Sequence, residues 1–371
     1  MATASELRVV IAGGGTGGHL FPGIAVAREL QARRPGAHVT FAGTSGGIEA
    51  RVVPREGFPL DLVRSGGLKG KSLAARARGL ALVPLSLVDA WRIVRARRPH
   101  LVIGVGGYSS GPVVLTAALR GIATMLLEQN AVPGLTNRLL GPFVRAAAVN
   151  FESTAAFFGS RAIVTGNPVR PEFLEMERAG GQGEHDREGR PGASSILVYG
   201  GSQGAHAINL AMVAALPALA AERGRLRITH QTGERDVEAV RAAYRKAGVD
   251  AVVEPFLYDM GVRLREADVI VCRAGATALA EIAIAGKAAI LIPLPTATDD
   301  HQRGNAEALA AAGAAEVLLQ SEATGPAMAH RILALAADPE ARERIGAAAR
   351  RLARPDAARL IVDRALELAG A

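Results

Sequence analysis

Short apolar runs alternate with longer amphipathic ones along most of the chain, the pattern of buried strands joined by helices. In the first half these runs predict strands at Leu7–Ala12, Val39–Gly43, Pro59–Val63, Leu101–Val105, Ala123–Leu127, Ala146–Asn150 and Ala162–Thr165. The second half repeats the scheme at Ile196–Tyr199, Arg227–His230, Ala251–Glu254, Asp268–Cys272, Ala288–Ile292 and Ala315–Leu318. Residues 327–368 read as consecutive helices interrupted around Pro339 and Pro355.

Two of these strands open into glycine-rich turns. Leu7–Ala12 runs into Gly13-Gly14-Gly15-Thr16-Gly17-Gly18-His19 and a helix carrying Ile24, Val26, Ala27 and Leu30. Ile196–Tyr199 runs into Gly200-Gly201-Ser202-Gln203-Gly204-Ala205 and a helix-like stretch over 208–219. Glycines let the backbone turn tightly and approach a ligand, and unpaired N–H groups at a helix start receive phosphate oxygens. The expectation is an α/β chain of two Rossmann-like domains facing across a cleft, with the site in that cleft at the carboxyl ends of the strands. The first domain is expected over 1–170 and the second over 171–354, with 179–195, rich in Gly, Glu, Arg and Ser, as a flexible loop.

A length of 371 residues exceeds one ordinary core and suits two domains. Hydrophobic residues make up 49% and charged residues 21%, a soluble globular balance. The single cysteine, Cys272, excludes an internal disulfide and, after Val269–Val271, reads as a buried strand-end thiol. The amino terminus lacks a basic segment followed by a long apolar stretch, and no uninterrupted apolar run reaches the ~20 residues of a membrane span. A cytoplasmic protein is expected.

The net charge of +8 changes the picture because its excess is concentrated. Over residues 68–98, Lys69, Lys71, Arg76, Arg78, Arg92, Arg95, Arg97 and Arg98 stand against one acid, Asp89. Interleaved are Leu73, Leu80, Leu82, Val83, Leu85, Leu87 and Trp91, the only tryptophan. Basic residues beside exposed apolar ones suit anionic lipid headgroups. An amphipathic helix with its leucines in the core and its arginines solvated would have the same composition.

Several common chemistries are excluded. Gly13-x-Gly15-x-x-Gly18 matches the dinucleotide fingerprint, but the second strand ends Thr40-Phe41-Ala42-Gly43-Thr44 without the carboxylate that holds a ribose. Gly70-Lys71-Ser72 imitates a P-loop, yet the required first glycine is Ser65 and no strand abuts it. No His/Cys cluster has zinc spacing, and Asp299-Asp300 lacks the Asp-x-Asp spacing of metal-dependent sugar transferases, so no metal is implied.

The sharpest chemistry lies at 272–305. Arg273-Ala274-Gly275-Ala276-Thr277-Ala278-Leu279-Ala280-Glu281 reads as a strand end, a turn of small residues and a helix start, which can embrace a diphosphate. Glu281 can accept both ribose hydroxyls, or merely complement the helix dipole. Pro293–Asn305 then presents Asp299, Asp300, His301, Gln302 and Asn305, donors and acceptors suited to sugar hydroxyls. Together the two runs describe a nucleotide-sugar pocket.

At this point a family resemblance emerges. Gly14-Gly15-Thr16-Gly17-Gly18-His19-x-Phe21-Pro22, Gly106-Gly107-Tyr108-Ser109-Ser110-Gly111-Pro112, Glu128-Gln129-Asn130 and Gly166-Asn167-Pro168-Val169-Arg170 occur in that order. The second glycine turn, the Arg273–Glu281 run and His301-Gln302-x-x-Asn305-Ala306 follow. Over nearly the whole chain this resembles the MurG family of bacterial glycosyltransferases. The resemblance implies a GT-B fold, with the lipid-linked acceptor on the first domain, the UDP-sugar on the second and the final helix, 355–371, packed back on the first. It implies inverting transfer of N-acetylglucosamine from UDP-N-acetylglucosamine to the 4-hydroxyl of lipid I, giving lipid II. No cofactor is implied. Thr16, Gly17, Gly18, Asn130, Arg170, Ser202, Leu257, Ala276, Thr277, Ala278, Leu279, Ala280, Glu281 and Gln302 align with donor contacts. Gly106, Gly107, Tyr108 and Ser109 form the acceptor loop. Leu257 stands where relatives often carry isoleucine, and Ala278 where many carry threonine.

Inversion needs a base for the acceptor hydroxyl and positive charge for the departing diphosphate. His19, at a glycine-rich helix start that would keep an imidazole neutral, is one candidate base, and Glu128 is the other. His19 reads equally as a hydrogen-bond donor to phosphate. Helix starts near Ser202 and Ala276, with Arg170, would stabilise the leaving group. The surface carrying Lys69, Lys71, Leu82, Leu85 and Trp91 would dock on anionic lipids of the inner membrane, making the enzyme peripheral on its cytoplasmic face, with cell-wall synthesis proteins as further partners. A related enzyme, such as a diacylglycerol glycosyltransferase or a UDP-sugar epimerase of the same fold, would share the donor pocket but not the loop Gly106–Pro112. A non-catalytic UDP-sugar-binding or nucleic-acid-binding module would bind its ligand without turnover. The basic run has no aromatic platform for bases, so nucleic acid is not an expected partner.

Overall fold

A computed structural model describes residues 6–66, 82–170, 173–174, 193–201 and 204–371. Lys69, Lys71, Ser202 and positions 179–192 of the expected loop lie outside the described residues. The chain divides into two units, Met1–Arg170 with Arg354–Ala371, and Pro171–Ala353.

Among the described residues the first unit holds a seven-stranded sheet in the order β3-β2-β1-β4-β5-β6-β7. Its strands are β1 (Arg8–Gly13), β2 (His38–Gly43), β3 (Leu60–Leu62), β4 (Leu101–Gly106), β5 (Ala123–Glu128), β6 (Ala146–Val149) and β7 (Ala162–Val164), paired in parallel throughout. Around them run α1 (Gly17–Arg33), α2 (Glu49–Arg55), α3 (Val83–Arg97), α4 (Ser110–Leu119), α5 (Leu135–Leu140) and α6 (Glu152–Phe158). Successive strand residues point to opposite faces, so each apolar strand feeds two cores. Val9 and Ile11 join Leu20, Ile24 and Leu30 of α1 on one face; Val10 and Ala12 join Ile93 and Val94 of α3 and Val113 and Val114 of α4 on the other.

The second unit's strands are β8 (Ser194–Tyr199), β9 (Leu226–Gln231), β10 (Ala251–Glu254), β11 (Val269–Cys272), β12 (Ala288–Leu291) and β13 (Glu316–Val317), ordered β10-β9-β8-β11-β12-β13 and parallel. Its helices are α7 (His206–Leu219), α8 (Val237–Ala247), α9 (Met260–Glu266), α10 (Ala276–Ala285), α11 (His301–Ala311), α12 (Gly325–Ala337) and α13 (Pro339–Leu352). Asp338 accepts from Ala341 N at 2.8 Å and caps α13 in front of Pro339, which gives the predicted break its cause. The last helix, α14 (Ala357–Ala369), belongs to the first unit. Its Ile361, Val362, Ala365 and Leu366 enter the core beneath α1, and Asp363 pairs with Arg33 at 2.6 Å.

Two expectations are corrected. β8 starts at Ser194, inside the stretch read as loop, because Ser194 and Ser195 pair with Leu226 and Arg227 of β9. The helix expected near Ser202 starts only at His206. Gly204 lies at φ +73° so close to the Thr232 carbonyl that a β-carbon would overlap it, and Ala205 is still extended at φ −140°. The turn is therefore held against β9 before a helix can begin.

Candidate active site

In each sheet the strand order reverses beside the first strand, and the crevice at such a reversal, at the carboxyl ends, is where α/β sheets hold ligands. In the first unit the reversal lies between β1 and β4. Both strands end in glycines there, with Gly13 opposite Gly106. Gly14 N–H donates to Gly106 O at 3.3 Å, and a β-carbon on Gly107 would stand 2.6 Å from Gly14 O. The two predicted glycine loops are thus one packed unit.

Thr16 is the N-cap of α1, but its hydroxyl makes no capping bond and instead meets His19 Nδ1 at 3.1 Å. The His19 ring lies against Gly106, where a β-carbon would come within 2.7 Å of Cδ2. Glycine at 106 is what admits the imidazole. The N–H groups of Gly14 and Gly15 are already taken, by Gly106 O and Glu49, so the helix-start donors are those of Gly17 and Gly18. Tyr108 is exposed, whereas Ser109 and Ser110 are buried, and Ser110 Oγ donates to Gly107 O at 2.9 Å.

Glu128 ends β5, 3% exposed. Its Oε1 accepts from Asn130 N at 3.1 Å and Nδ2 at 3.2 Å; its Oε2 accepts from Gly134 N at 3.0 Å and Asn137 Nδ2 at 2.9 Å. Burial raises its pKa, against the pull of these donors. The candidate base and the candidate donor contact Asn130 are thereby one hydrogen-bonded group.

In the second unit the reversal lies between β8 and β11. After β11, Arg273 is buried and donates to Ile292 O at 3.0 Å, Pro293 O at 3.2 Å and Gln320 Oε1 at 2.7 Å, tying the loops after β11 and β12 together. Asn305 Nδ2, buried on α11, donates to Ala274 O at 3.1 Å, and Gln302 Oε1 accepts from Leu294 N at 3.0 Å. These bonds bring α11 against the start of α10. There Leu279 N is the first to bond back, to Gly275 O at 3.0 Å, so Ala276, Thr277 and Ala278 present the helix-start N–H groups. Glu281 lies in the same helix, 5% exposed. Cys272 is buried, its thiol pushed up to about 12 by burial, as befits a packed strand end. Asp299 and Asp300 both hold positive φ, 58° and 53°, leading into α11. Among the described residues no group of three or more His, Cys, Asp or Glu could hold a metal ion.

Sequence reasoning missed Gln231, Asn137 and Glu49. Gln231 Nε2 donates to Gly201 O at 2.7 Å and its Oε1 accepts from Leu257 N at 3.4 Å, so one amide spans the turn after β8 and the loop after β10. A polar residue at the end of an apolar strand was the available signal.

On α3 the inward residues are Ser86, Ala90, Ile93 and Val94, while Val83, Leu85, Leu87, Val88 and Trp91 are exposed, Trp91 by 45%. Leu82 is half-buried. Arg95 lies over the Trp91 ring, 5.0 Å from its centre. Arg64 pairs with Asp89 at 2.7 Å and Arg97 with Asp61 at 2.8 Å. Among the described residues no helix is long and apolar enough to cross a membrane.

Residues 9–149 match the glycosyltransferase family 28 N-terminal domain and residues 195–361 the glycosyltransferase family 28 C-terminal domain. A UDP-N-acetylglucosamine–N-acetylmuramyl-(pentapeptide) pyrophosphoryl-undecaprenol N-acetylglucosamine transferase of Pelobacter propionicus is 49% identical over 97% of this chain and 99% of its own. One of the same name from Anaeromyxobacter dehalogenans is 47% identical over 98% and 93%. The crystal structure of Acinetobacter baumannii MurG, 33% identical, superposes with a TM-score of 0.79 over 97% of this chain and 99% of that one. With two parallel α/β sheets built in the GT-B manner, the chain belongs to the MurG family of glycosyltransferase family 28.

Proposed function

We propose that the protein is an inverting UDP-N-acetylglucosamine-dependent hexosyltransferase. It moves N-acetylglucosamine to the 4-hydroxyl of the MurNAc-pentapeptide of undecaprenyl-linked lipid I, making lipid II for peptidoglycan synthesis. The observation that carries this reading is the 49% identity, over nearly the full length, to a transferase whose name states that donor and acceptor.

The donor is assigned to the second unit. Leu257 borders the uracil, Glu281 holds the ribose hydroxyls, and the N–H groups of Ala276, Thr277 and Ala278 receive the diphosphate. Leu279 and Ala280 complete that turn, with Gln302 and Asn305 toward the sugar and Ser202 on the glycine turn. Thr16, Gly17, Gly18, Asn130 and Arg170 add donor contacts from the first unit, and Gly106, Gly107, Tyr108 and Ser109 take the acceptor. His19 is the base: when Nδ1–H donates to Thr16 Oγ1, Nε2 carries the lone pair that removes the acceptor proton. Glu128 is assigned to holding the Asn130–Asn137 turn, because its oxygens already accept four hydrogen bonds.

The test is transfer of labelled N-acetylglucosamine from UDP-N-acetylglucosamine to a lipid I analogue with EDTA present. Metal-independent formation of a β-1,4-linked product is expected. Donor binding without transfer would remove the acceptor assignment.

The exposed side of α3 is assigned to the cytoplasmic face of the inner membrane, and Lys69 and Lys71, earlier in the same basic run of the sequence, are assigned to the same role. Each basic residue near an anionic surface contributes about 1 kcal/mol, screened by salt. Binding to vesicles of anionic phospholipid should therefore weaken as salt rises, and Trp91 emission should shift to the blue on binding. Salt-insensitive binding, or none, would count against this surface.

A further inference from the structure

Glu49 lies beneath the first glycine loop, 1% exposed, at the start of α2. Its Oε2 accepts from Gly15 N at 2.7 Å, and its Oε1 accepts from Thr44 N at 2.9 Å and Thr44 Oγ1 at 2.8 Å. The carboxylate thus joins the loop after β1 to the end of β2. Space has been left for it: a β-carbon on Gly14 would stand 2.5 Å from Oε2, and β-carbons on Gly43 and Gly47 would also collide with the side chain. Burial alone would raise its pKa, but the N–H groups of Gly15 and Thr44 and the Thr44 hydroxyl outweigh it and hold the carboxyl below the ordinary range.

A dinucleotide-binding domain would point a carboxylate from the end of its second strand at a ribose. Here the carboxylate arriving from that side is enclosed and bonded to Gly15 and Thr44, so it does not face a ligand. From it a short path leads to the chemistry. Gly15 is followed by Thr16, whose hydroxyl meets His19 Nδ1, and Gly14 is bonded to Gly106, against which the imidazole lies.

We infer that Glu49 is a positioning residue for the transfer reaction, an internal carboxylate clamp that fixes the Gly14–Thr16 turn and through it the His19 imidazole. The inference rests on the assignment of His19 as the base. Charged acceptors bind N–H donors about twice as strongly as neutral ones, and small misplacement of a catalytic group is costly in rate.

Glu49→Gln keeps the shape but sets an amide NH2 against one of the donors. Turnover is normalised to the folded fraction, read at the assay temperature from Trp91, the only tryptophan, which lies in the same unit. The kcat of Glu49→Gln per folded molecule should fall about tenfold or more, with UDP affinity within about twofold of wild type. Thr44→Val, which removes only the hydroxyl donor, should show a smaller loss of the same kind, and Thr44→Ser should restore the wild-type rate. Should Glu49→Gln fail to fold, Thr44→Val carries the test. Full kcat per folded molecule in Glu49→Gln, or in Thr44→Val where only that variant folds, would reduce the clamp to a stability feature and overturn the inference. His19→Ala separates the two readings. If it is inactive while Glu49→Gln is fully active, only the clamp fails; if His19→Ala is active, the base assignment falls and the clamp with it.

Discussion

With His19 replaced by alanine, kcat should fall about a hundredfold to ten-thousandfold, the usual contribution of a positioned general base, while UDP binding stays within about twofold. UDP is the appropriate reporter because its proposed seat, Leu257 and α10, is built largely on the other unit. The expectation follows from how the ring is held. Thr16 Oγ1 fixes Nδ1, and Gly106 leaves no β-carbon to push the imidazole away from the turn. The rival role, a hydrogen bond to phosphate, predicts a different pattern. His19→Asn retains a side-chain N–H donor and would recover much of the rate if donation to phosphate were the function. As a base asparagine is inert, so on the present assignment His19→Asn stays as impaired as His19→Ala. Near-wild-type turnover in His19→Ala with unchanged UDP affinity would end the assignment.

The fold was legible because the signal that specifies it is local. Strands buried on both faces are mostly apolar, and every described strand coincides with one of the predicted strands to within a few residues, although β9, Leu-Arg-Ile-Thr-His-Gln, is largely polar. The errors fall where tertiary contacts extend or postpone an element. β9 continues to Gln231, whose amide bridges Gly201 and Leu257; β8 begins in two serines because β9 lies alongside; α7 waits until His206 because Gly204 is pressed onto Thr232. None of these partners is near in sequence.

The glycine loops were legible for a related reason. Gly106 and Gly107 are required by backbone angles of +97° and +82° and by close neighbours, and such demands leave no other residue available. Glu49 was not legible, because an acid beginning a helix has an adequate local explanation in the helix dipole. Only the bonds from Gly15 and Thr44 give it another. The basic-apolar run was ambiguous because composition does not say which residues a neighbour covers. On α3 the small residues Ser86 and Ala90 turn inward with Ile93 and Val94, and the bulkier Leu85, Leu87 and Trp91 are left outside.

Glu281→Ala should weaken UDP-N-acetylglucosamine binding about a hundredfold or more. Hydrogen bonds to a charged acceptor contribute about 1.5–3 kcal/mol each, and two ribose hydroxyls on one carboxylate amount to about 3 kcal/mol or more. The alternative role, complementing the α10 dipole, is worth only about 0.3–1 kcal/mol and acts on stability, not on ligand. That role also suits a carboxylate in the first turn of a helix better than one at Glu281, since α10 begins at Ala276 and its unpaired N–H groups end at Ala278. Binding of UDP and 2′-deoxy-UDP to wild type and variant separates the two. Wild type should prefer UDP by about tenfold or more, the effect of removing one charge-assisted bond, and Glu281→Ala should lose that preference. A variant that binds UDP at wild-type strength, or that still distinguishes the two nucleotides, would leave Glu281 with a structural role only. The ribose assignment would then have to move to another acceptor.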